Sequence, residues 1–99
     1  GGGEFVHYAM SKGAIHSLTY GMAKELGKYG IRVNAVAPGL IDTEIHAKAG
    51  DASRVDRLMP SVPIGRIGGA EEVAKTVMWL LGNKSSYISG SVVPVSGGR

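Results

Sequence analysis

The chain has 99 residues, of which 43% are hydrophobic and 19% charged, the composition of one small globular domain. The absence of cysteine excludes a disulfide framework, thiolate catalysis and cysteine-based zinc sites. The net charge of +3 comes from basic residues scattered over the chain rather than gathered in a stripe with aromatic residues, so the sequence predicts no nucleic-acid partner.

The N-terminal residues do not have the features of a targeting segment. Residues 1–5 contain neither the basic region nor the apolar run of a signal peptide. Elsewhere the apolar runs are far shorter than the roughly 20 residues that a membrane-spanning helix needs. The sequence therefore predicts a cytoplasmic protein without a membrane partner.

A long helix is predicted over residues 8–29. Ile15, Leu18, Met22 and Leu26 recur at spacings of three and four, so they share one face of this helix. Gly30 follows directly, and the end of a helix favours a glycine in the left-handed conformation at such a position. The pattern thus predicts both the helix and the place where it ends.

A strand over residues 31–37 and an irregular segment over residues 40–69 come next. The strand is short and mostly β-branched, and Pro38-Gly39 ends it. A long helix that leads into a mostly apolar strand is typical of a parallel α/β sheet. The irregular segment contains proline and several glycines, with a short helix predicted over residues 52–59. Because long irregular segments of compact domains often form lids or binding loops, residues 40–69 are the predicted substrate loop.

The last predicted elements are a helix over residues 70–81 and a strand over residues 87–95. Glu71 and Glu72 lie in the first turn of the helix, where the positive end of the helix dipole favours acidic residues. Pro94 indicates that the end of the strand lies at a sheet edge, since proline cannot donate a hydrogen bond to a neighbouring strand. The apolar face of the helix consists of Val73, Val77, Leu80 and Leu81.

Tyr8 and Lys12 are the best candidates for chemistry in this sequence. They are four residues apart on the predicted helix and therefore lie on one face, one turn from each other. A phenol with a pKa of about 10 is a poor proton donor or acceptor at neutral pH, and lowering its pKa to about 7 requires about 4 kcal/mol. A lysine ammonium about 4 Å away supplies a Coulomb energy of about this size at an effective dielectric constant near 20. The pair is therefore suited to acid/base work on a carbonyl or hydroxyl group, although on spacing alone an exposed packing pair is the far more common explanation.

Other candidate sites in the sequence are weaker. His7, His16 and His46 lack metal-ligand spacing with each other and with carboxylates, so no metal site is predicted. No Gly-x-Gly-x-x-Gly turn for binding a dinucleotide occurs in the chain. Ser11 is not part of a nucleophile-elbow motif, which argues against a hydrolase.

Five segments of the chain, in the right order, resemble segments of the short-chain dehydrogenase/reductase family. They are the helix start at 8–14, the strand at 31–39, the loop start at 38–43, the helix opening at 63–74 and the final strand at 87–98. They extend over nearly the whole chain, which makes the resemblance specific. The most similar subtype is the compact one that includes 3-oxoacyl-carrier-protein reductases and sugar or polyol dehydrogenases.

The resemblance implies a role for each residue of the tyrosine–lysine pair. Tyr8 would protonate the carbonyl oxygen during reduction or take the hydroxyl proton during oxidation. Lys12 would lower the pKa of the tyrosine and hydrogen-bond the nicotinamide ribose. The activity implied is hydride transfer between NAD or NADP and a ketone or secondary alcohol, with no indication of which cofactor is used.

The resemblance also implies which residues bind the nicotinamide end of the cofactor. Thr43 and the backbone of Ile41 would hold the carboxamide. Pro38 and Gly39 would shape the turn beneath the ring. The segment from Asp42 to Pro63 would close over a small-molecule substrate.

The implied fold is α/β, and residues 1–99 would be the C-terminal portion of a single Rossmann-like domain with a doubly wound parallel sheet. The family's catalytic serine, glycine-rich phosphate turn and active-site asparagine precede the tyrosine and are not in this chain. The expected partners are therefore the missing N-terminal half and further copies of the protein in a homodimer or homotetramer. The alternative is a non-catalytic fragment or assembly module that lacks the nucleotide-binding half.

Overall fold

The computed structural model describes residues 2–42 and 53–99, and it describes the side chains of residues 9–42 and 56–99. The described residues form two compact units. One contains the residues up to Ala35 together with Ser86–Val93, and the other contains Val36–Ser85 together with Pro94–Arg99.

The helix of the first unit, α1, extends over Gly2–Leu26 and continues as a 3-10 turn at Gly27–Tyr29. It begins before the predicted start at residue 8, because the apolar spacing that reveals a helix in the sequence is absent from its first turns. Gly30 ends it as predicted. This glycine adopts the left-handed conformation with a φ of 76°, and its N–H donates to the carbonyl of Gly27 at 2.9 Å.

The apolar face predicted for α1 is only partly covered within its unit, where Leu26 is half-buried. Thr19 is buried, and its hydroxyl donates to the carbonyl of Ile15 at 2.7 Å. A Cβ built on Gly90 would lie 3.5 Å from the Cβ of Ala23, so the chain around Gly90 approaches the helix there. Leu18 and Met22 of the predicted apolar face are 58% and 40% exposed.

In the first unit, hydrogen bonds join residues 33–34 to residues 88–91. The Asn34 amide donates to the carbonyl of Ile88 at 3.0 Å and accepts from the N–H of Ser91 at 3.0 Å. Gly90, with a φ of 82°, donates to the carbonyl of Val33 at 2.7 Å. The left-handed residue interrupts regular pairing here, so the strands begin later than predicted at residues 31 and 87.

Four strands occur in the described part of the chain, in two pairs. β1 (Ala35–Pro38) pairs with β4 (Val92–Val95). β2 (Ile41–Asp42) pairs in parallel with β3 (Gly68–Gly69), with Ile41 opposite Gly68. The predicted substrate loop therefore contains two very short strands where the sequence showed no regular pattern.

Two α-helices of the second unit lie within residues 53–85, which the structure describes. α2 (Ser53–Leu58) is followed by a 3-10 turn at Met59–Ser61, close to the short helix predicted over residues 52–59. α3 extends over Ala70–Leu81 and has the predicted bounds. Ser85 is almost fully buried beyond its end, and its hydroxyl donates to the C-terminal carbonyls of α3, 2.9 Å from that of Leu80.

Four apolar residues are buried in the described part of the second unit. They are Leu40, Ile41, Val62 and Leu80, all less than a tenth exposed. Of the predicted apolar face of α3, only Leu80 is buried, whereas Leu81 is 73% exposed. Two of the four buried residues, Leu40 and Ile41, thus lie at the start of β2, the strand that contains the candidate residue Ile41.

Candidate functional site

Tyr8 and Lys12 both lie on α1, four residues apart, so their Cα atoms are about one helical turn from each other. The Lys12 side chain is exposed. The side chain of Tyr8 is outside the described part, so its contact with Lys12 remains a prediction. What the structure provides is the helix that puts both residues on the same face.

The same helix contains a second tyrosine–lysine pair at the same spacing, which the sequence reasoning passed over. Lys24 places its Nζ 4.8 Å from the centroid of the Tyr20 ring, in a cation–π contact. Tyr20 is 57% exposed. The contact uses the face of the ring, so this pair has the geometry of an exposed packing pair. Spacing alone therefore does not distinguish an acid/base pair from a packing pair.

The predicted cofactor residues Pro38, Gly39 and Ile41 belong to the second unit. Pro38 is the last residue of β1, and the N–H of Gly39 donates to the carbonyl of Val95 at 2.9 Å. A Cβ on Gly39 would lie 2.7 Å from the Cβ of Ser96, closer than two side chains can approach. Only glycine allows the turn after β1 to lie against Ser96 in this way. Thr43, which was predicted to bind the carboxamide together with Ile41, lies outside the described residues.

Ile41 is the most firmly held of these residues. Its side chain is 7% exposed, and its backbone pairs with Gly68 in the parallel β2–β3 ladder. The adjacent carbonyl of Leu40 accepts the N–H of Gly68 at 3.0 Å. A Cβ on Gly68 would lie 2.8 Å from the Cδ1 of Ile41, so a larger residue at position 68 would require the end of the Ile41 side chain to shift. The resemblance assigns the backbone of Ile41 to binding of the nicotinamide carboxamide. The position of this backbone depends on its pairing with β3.

An ion pair next to β3 was not predicted. The Arg66 guanidinium donates two hydrogen bonds to the Glu72 carboxylate, at 2.7 Å to Oε1 and 3.0 Å to Oε2. Glu72 also accepts the N–H of Gly69 at 3.0 Å and so caps the first turn of α3. The sequence indicated an acidic first turn at Glu71 and Glu72, but the bidentate partner lies six residues before Glu72 in a non-helical turn, which no helical spacing rule identifies.

The hydrogen bonds to Glu72 change its ionisation. The Arg66 guanidinium, and after it the Gly69 N–H, lower the pKa of Glu72 to about 2, with smaller effects from the charges of Arg66 and Lys75. The pKa of Arg66 is raised, mainly by its hydrogen bond to Glu72. Both groups are therefore charged throughout the physiological range.

A small cleft of the second unit lies between β2, β3 and the chain end. Its floor is apolar, and the Arg66–Glu72 pair provides its charged residues. The lining residues are Leu40, Ile41, Ile64, Arg66, Gly68, Glu72, Val95, Ser96 and Gly97. Of these residues, the sequence predicted a role in cofactor binding for Ile41, but it did not indicate that Arg66 lies in the same cleft.

Within residues 2–42 and 53–99, no group of three or more His, Asp or Glu residues is arranged to hold a metal ion. In the same part of the chain, no helix combines the length and apolarity needed to span a membrane.

Comparison with known proteins decides the family. A family profile described as enoyl-(acyl carrier protein) reductase matches residues 1–99. A crystal structure of 3-oxoacyl-[acyl-carrier protein] reductase from Brucella melitensis is 44% identical over 93% of the chain, with a TM-score of 0.79. The chain belongs to the short-chain dehydrogenase/reductase family. Both the family and the α/β, Rossmann-like fold class predicted from the sequence are confirmed.

Curated members of the short-chain dehydrogenase/reductase family extend the comparison. An oxidoreductase of Escherichia coli is 52% identical over 98% of the chain, which spans 39% of that relative. The 3-oxoacyl-[acyl-carrier-protein] reductase of Pseudomonas aeruginosa is 42% identical over 93% of the chain, which spans 37% of it. The chain thus spans well under half the length of the relatives it matches.

Proposed function

We propose that this chain provides the acid/base residues and the nicotinamide-side loop of an NAD(P)-dependent oxidoreductase that interconverts a ketone and a secondary alcohol. The observation that carries the proposal is the Tyr8–Lys12 pair on α1, in a chain that belongs to the short-chain dehydrogenase/reductase family. Tyr8 is the general acid in reduction and the general base in oxidation. Lys12 assists it by lowering its pKa.

The role of Lys12 follows from electrostatics. A cation next to a phenol favours the phenolate, because the opposite charges attract when the proton leaves. The same ammonium has three donors and can hydrogen-bond ribose hydroxyls of the cofactor. Its exposure in these 99 residues leaves it accessible to a cofactor.

The nicotinamide end of the cofactor is proposed to lie at the residues that follow β1. Pro38 and Gly39 form the turn, and the Ile41 backbone with Thr43 holds the carboxamide. The pairing of β2 with β3 supports this role for Ile41, because it fixes the backbone that has to meet the carboxamide. When bound, NAD(P)(H) supplies or accepts the hydride, while the residues of this chain orient it and move the proton.

Activity is proposed to need a nucleotide-binding half in addition to these residues. The pyrophosphate of a dinucleotide is usually bound by backbone N–H groups of a glycine-rich turn at the start of a helix, and these 99 residues contain no Gly-x-Gly-x-x-Gly. The short coverage of the relatives, 39% of the E. coli oxidoreductase, fits this requirement. We also propose that the full-length protein is a homodimer or homotetramer.

A carbonyl is the proposed reacting group. The Pseudomonas aeruginosa relative is named as a 3-oxoacyl-[acyl-carrier-protein] reductase, and a Rhodococcus relative 38% identical to this chain is named as a cyclohexanol dehydrogenase. Both names refer to carbonyl or alcohol chemistry, in accord with a proton donor that acts on an oxygen atom. The profile name, by contrast, refers to an enoyl substrate.

Assays of the full-length protein would distinguish these substrates. NADH and NADPH would each be tested with a 3-oxoacyl thioester, a cyclic ketone and an enoyl thioester, by following loss of the reduced nicotinamide absorbance. We expect turnover of a ketone-containing substrate and little or none of the enoyl thioester. Turnover of the enoyl thioester alone would contradict the carbonyl assignment, and no turnover of any substrate class would favour the non-catalytic alternative.

A further inference from the structure

Arg66 and Glu72 form a closed hydrogen-bonded network around β3. The guanidinium donates to both carboxylate oxygens of Glu72 and also to the carbonyl of Ile67, the latter at 3.2 Å. The carboxylate in turn accepts the N–H of Gly69 at 3.0 Å. The backbone from Ile67 to Gly69 is therefore held at both ends by the same pair of side chains.

The segment Ile67–Gly69 contains β3, the strand with which β2 pairs. Gly68 and Gly69 are the only residues of β3, and they pair with Ile41 and Asp42. The N–H of Gly68 donates to the carbonyl of Leu40 at 3.0 Å. Because both strands are only two residues long, the ladder has little stability of its own, and its geometry depends on what fixes Ile67–Gly69.

We propose that Arg66 and Glu72 are positioning residues for the nicotinamide end of the cofactor, acting through β3 on the backbone of Ile41. The inference rests on the proposed function, because it assigns the carboxamide to Ile41. Neither side chain needs to touch the cofactor. Their contribution is to keep the Ile41 backbone in one position before the cofactor arrives, so that binding does not have to order it.

The exposure of the pair supports a positioning role over a stabilising one. The Arg66 and Glu72 side chains are 57% and 44% exposed. Ion pairs this accessible to water contribute little to folding stability, whereas the two parallel hydrogen bonds of an arginine–carboxylate fork define an orientation. Removing the pair is therefore expected to disturb the placement of β2 more than the fold.

The test compares two ligands in the full-length protein. NADH differs from ADP-ribose by the nicotinamide, and NADPH differs in the same way from the 2′-phosphate of ADP-ribose. The ratio of the dissociation constants of the matched pair therefore isolates the nicotinamide end. We expect Glu72→Ala and Arg66→Gln each to weaken NAD(P)H binding about fivefold or more, the range of one or two lost hydrogen bonds, and to leave ADP-ribose binding within about twofold. Glu71→Ala is the matched control, because it removes the same charge from the same helical turn and is expected to change neither constant.

The outcomes separate this inference from the function on which it rests. If the variants bound both ligands more weakly by the same factor, the pair would have a general structural role and the inference would be overturned. Unchanged NAD(P)H binding would overturn it as well. Arg66→Gln retains the Glu72 cap on Gly69, so it provides the same comparison if Glu72→Ala fails to fold. If the wild-type protein bound ADP-ribose as tightly as NAD(P)H, the nicotinamide would contribute nothing to affinity, and the proposed function itself would be overturned.

Discussion

At the scale of residues, one helix contains two tyrosine–lysine pairs of identical spacing. Lys24 lies over the face of Tyr20, which leaves the Tyr20 hydroxyl outside the contact. The sequence points to Tyr8 and Lys12 because residues 8–14 resemble the active-site helix of the family and four further segments of the family pattern follow. The neighbouring family segments, and not the helical spacing, therefore indicate which tyrosine–lysine pair is the catalytic candidate.

Lys12 provides a prediction at this scale. In the full-length protein, Lys12→Ala removes the cation that favours the phenolate, so the pKa governing the rate should rise and the pH–rate profile should move to higher pH. The dissociation constant of the cofactor should rise as well, because the ribose loses a donor. The profile is measured as kcat/KM against pH.

Lys24→Ala is the matched control for this experiment. It removes a lysine from the same helix and from the same spacing, and it should leave the pH–rate profile and the cofactor affinity unchanged. An unchanged profile in Lys12→Ala, or an equal shift in both variants, would show that Lys12 has no specific effect on the acid/base group.

At the scale of elements, helices with a clear apolar spacing or a clear end were predictable. α3 has the predicted bounds, and Gly30 ends the first helix where the sequence placed it. The strands were predicted too long, because side-chain contacts of Asn34 and the left-handed Gly90 replace the regular ladder at one end. β2 and β3 were missed altogether, since two residues are too few to show any periodicity.

The candidate site, too, could be predicted only in part from the sequence. Ile41 was named from a resemblance, and the structure adds that it is buried and paired with Gly68. The Arg66–Glu72 pair was not named, because its geometry depends on a turn that brings together residues on either side of β3. Tertiary contacts of this kind have no fixed spacing in the sequence.

Glu72 provides the prediction at the element scale. Its pKa in the folded protein, about 2, lies below the ordinary 4.5, so the charged carboxylate stabilises the folded state fully above about pH 4.5. This stabilisation should be lost as the pH falls from about 4.5 towards about 2. Arg66 is the main cause of the low pKa, with the Gly69 N–H second and a smaller effect of the Lys75 charge.

Urea unfolding of the full-length protein at about pH 6 and about pH 3 measures this effect. The stability difference between wild type and Glu72→Gln should be larger at the higher pH, and it should shrink in high salt because the pair is exposed. Glu71→Gln serves as the control. A difference that is the same at both pH values would contradict the assigned ionisation of Glu72.

At the scale of the whole molecule, large apolar side chains are left uncovered in both units. Leu18 and Met22 of α1 are 58% and 40% exposed, and Met78 and Leu81 of α3 are 68% and 73% exposed. Exposed apolar residues in such numbers are typical of surfaces that are covered in a larger assembly. They fit the proposed nucleotide-binding half and the proposed homodimer or homotetramer, which would bury these faces.

The central claim is that Tyr8 moves the proton in an oxidoreductase of which these residues are one part, and kcat of Tyr8→Phe tests it most directly. The phenylalanine keeps the ring and removes only the hydroxyl. In the full-length protein with NAD(P)H and a ketone substrate, we expect kcat to fall at least about a hundredfold, since a positioned acid/base group contributes roughly 10²- to 10⁴-fold. Tyr20→Phe, which removes the hydroxyl of the second pair, should leave kcat unchanged. Near-normal turnover of Tyr8→Phe, or equal losses in both variants, would contradict the account.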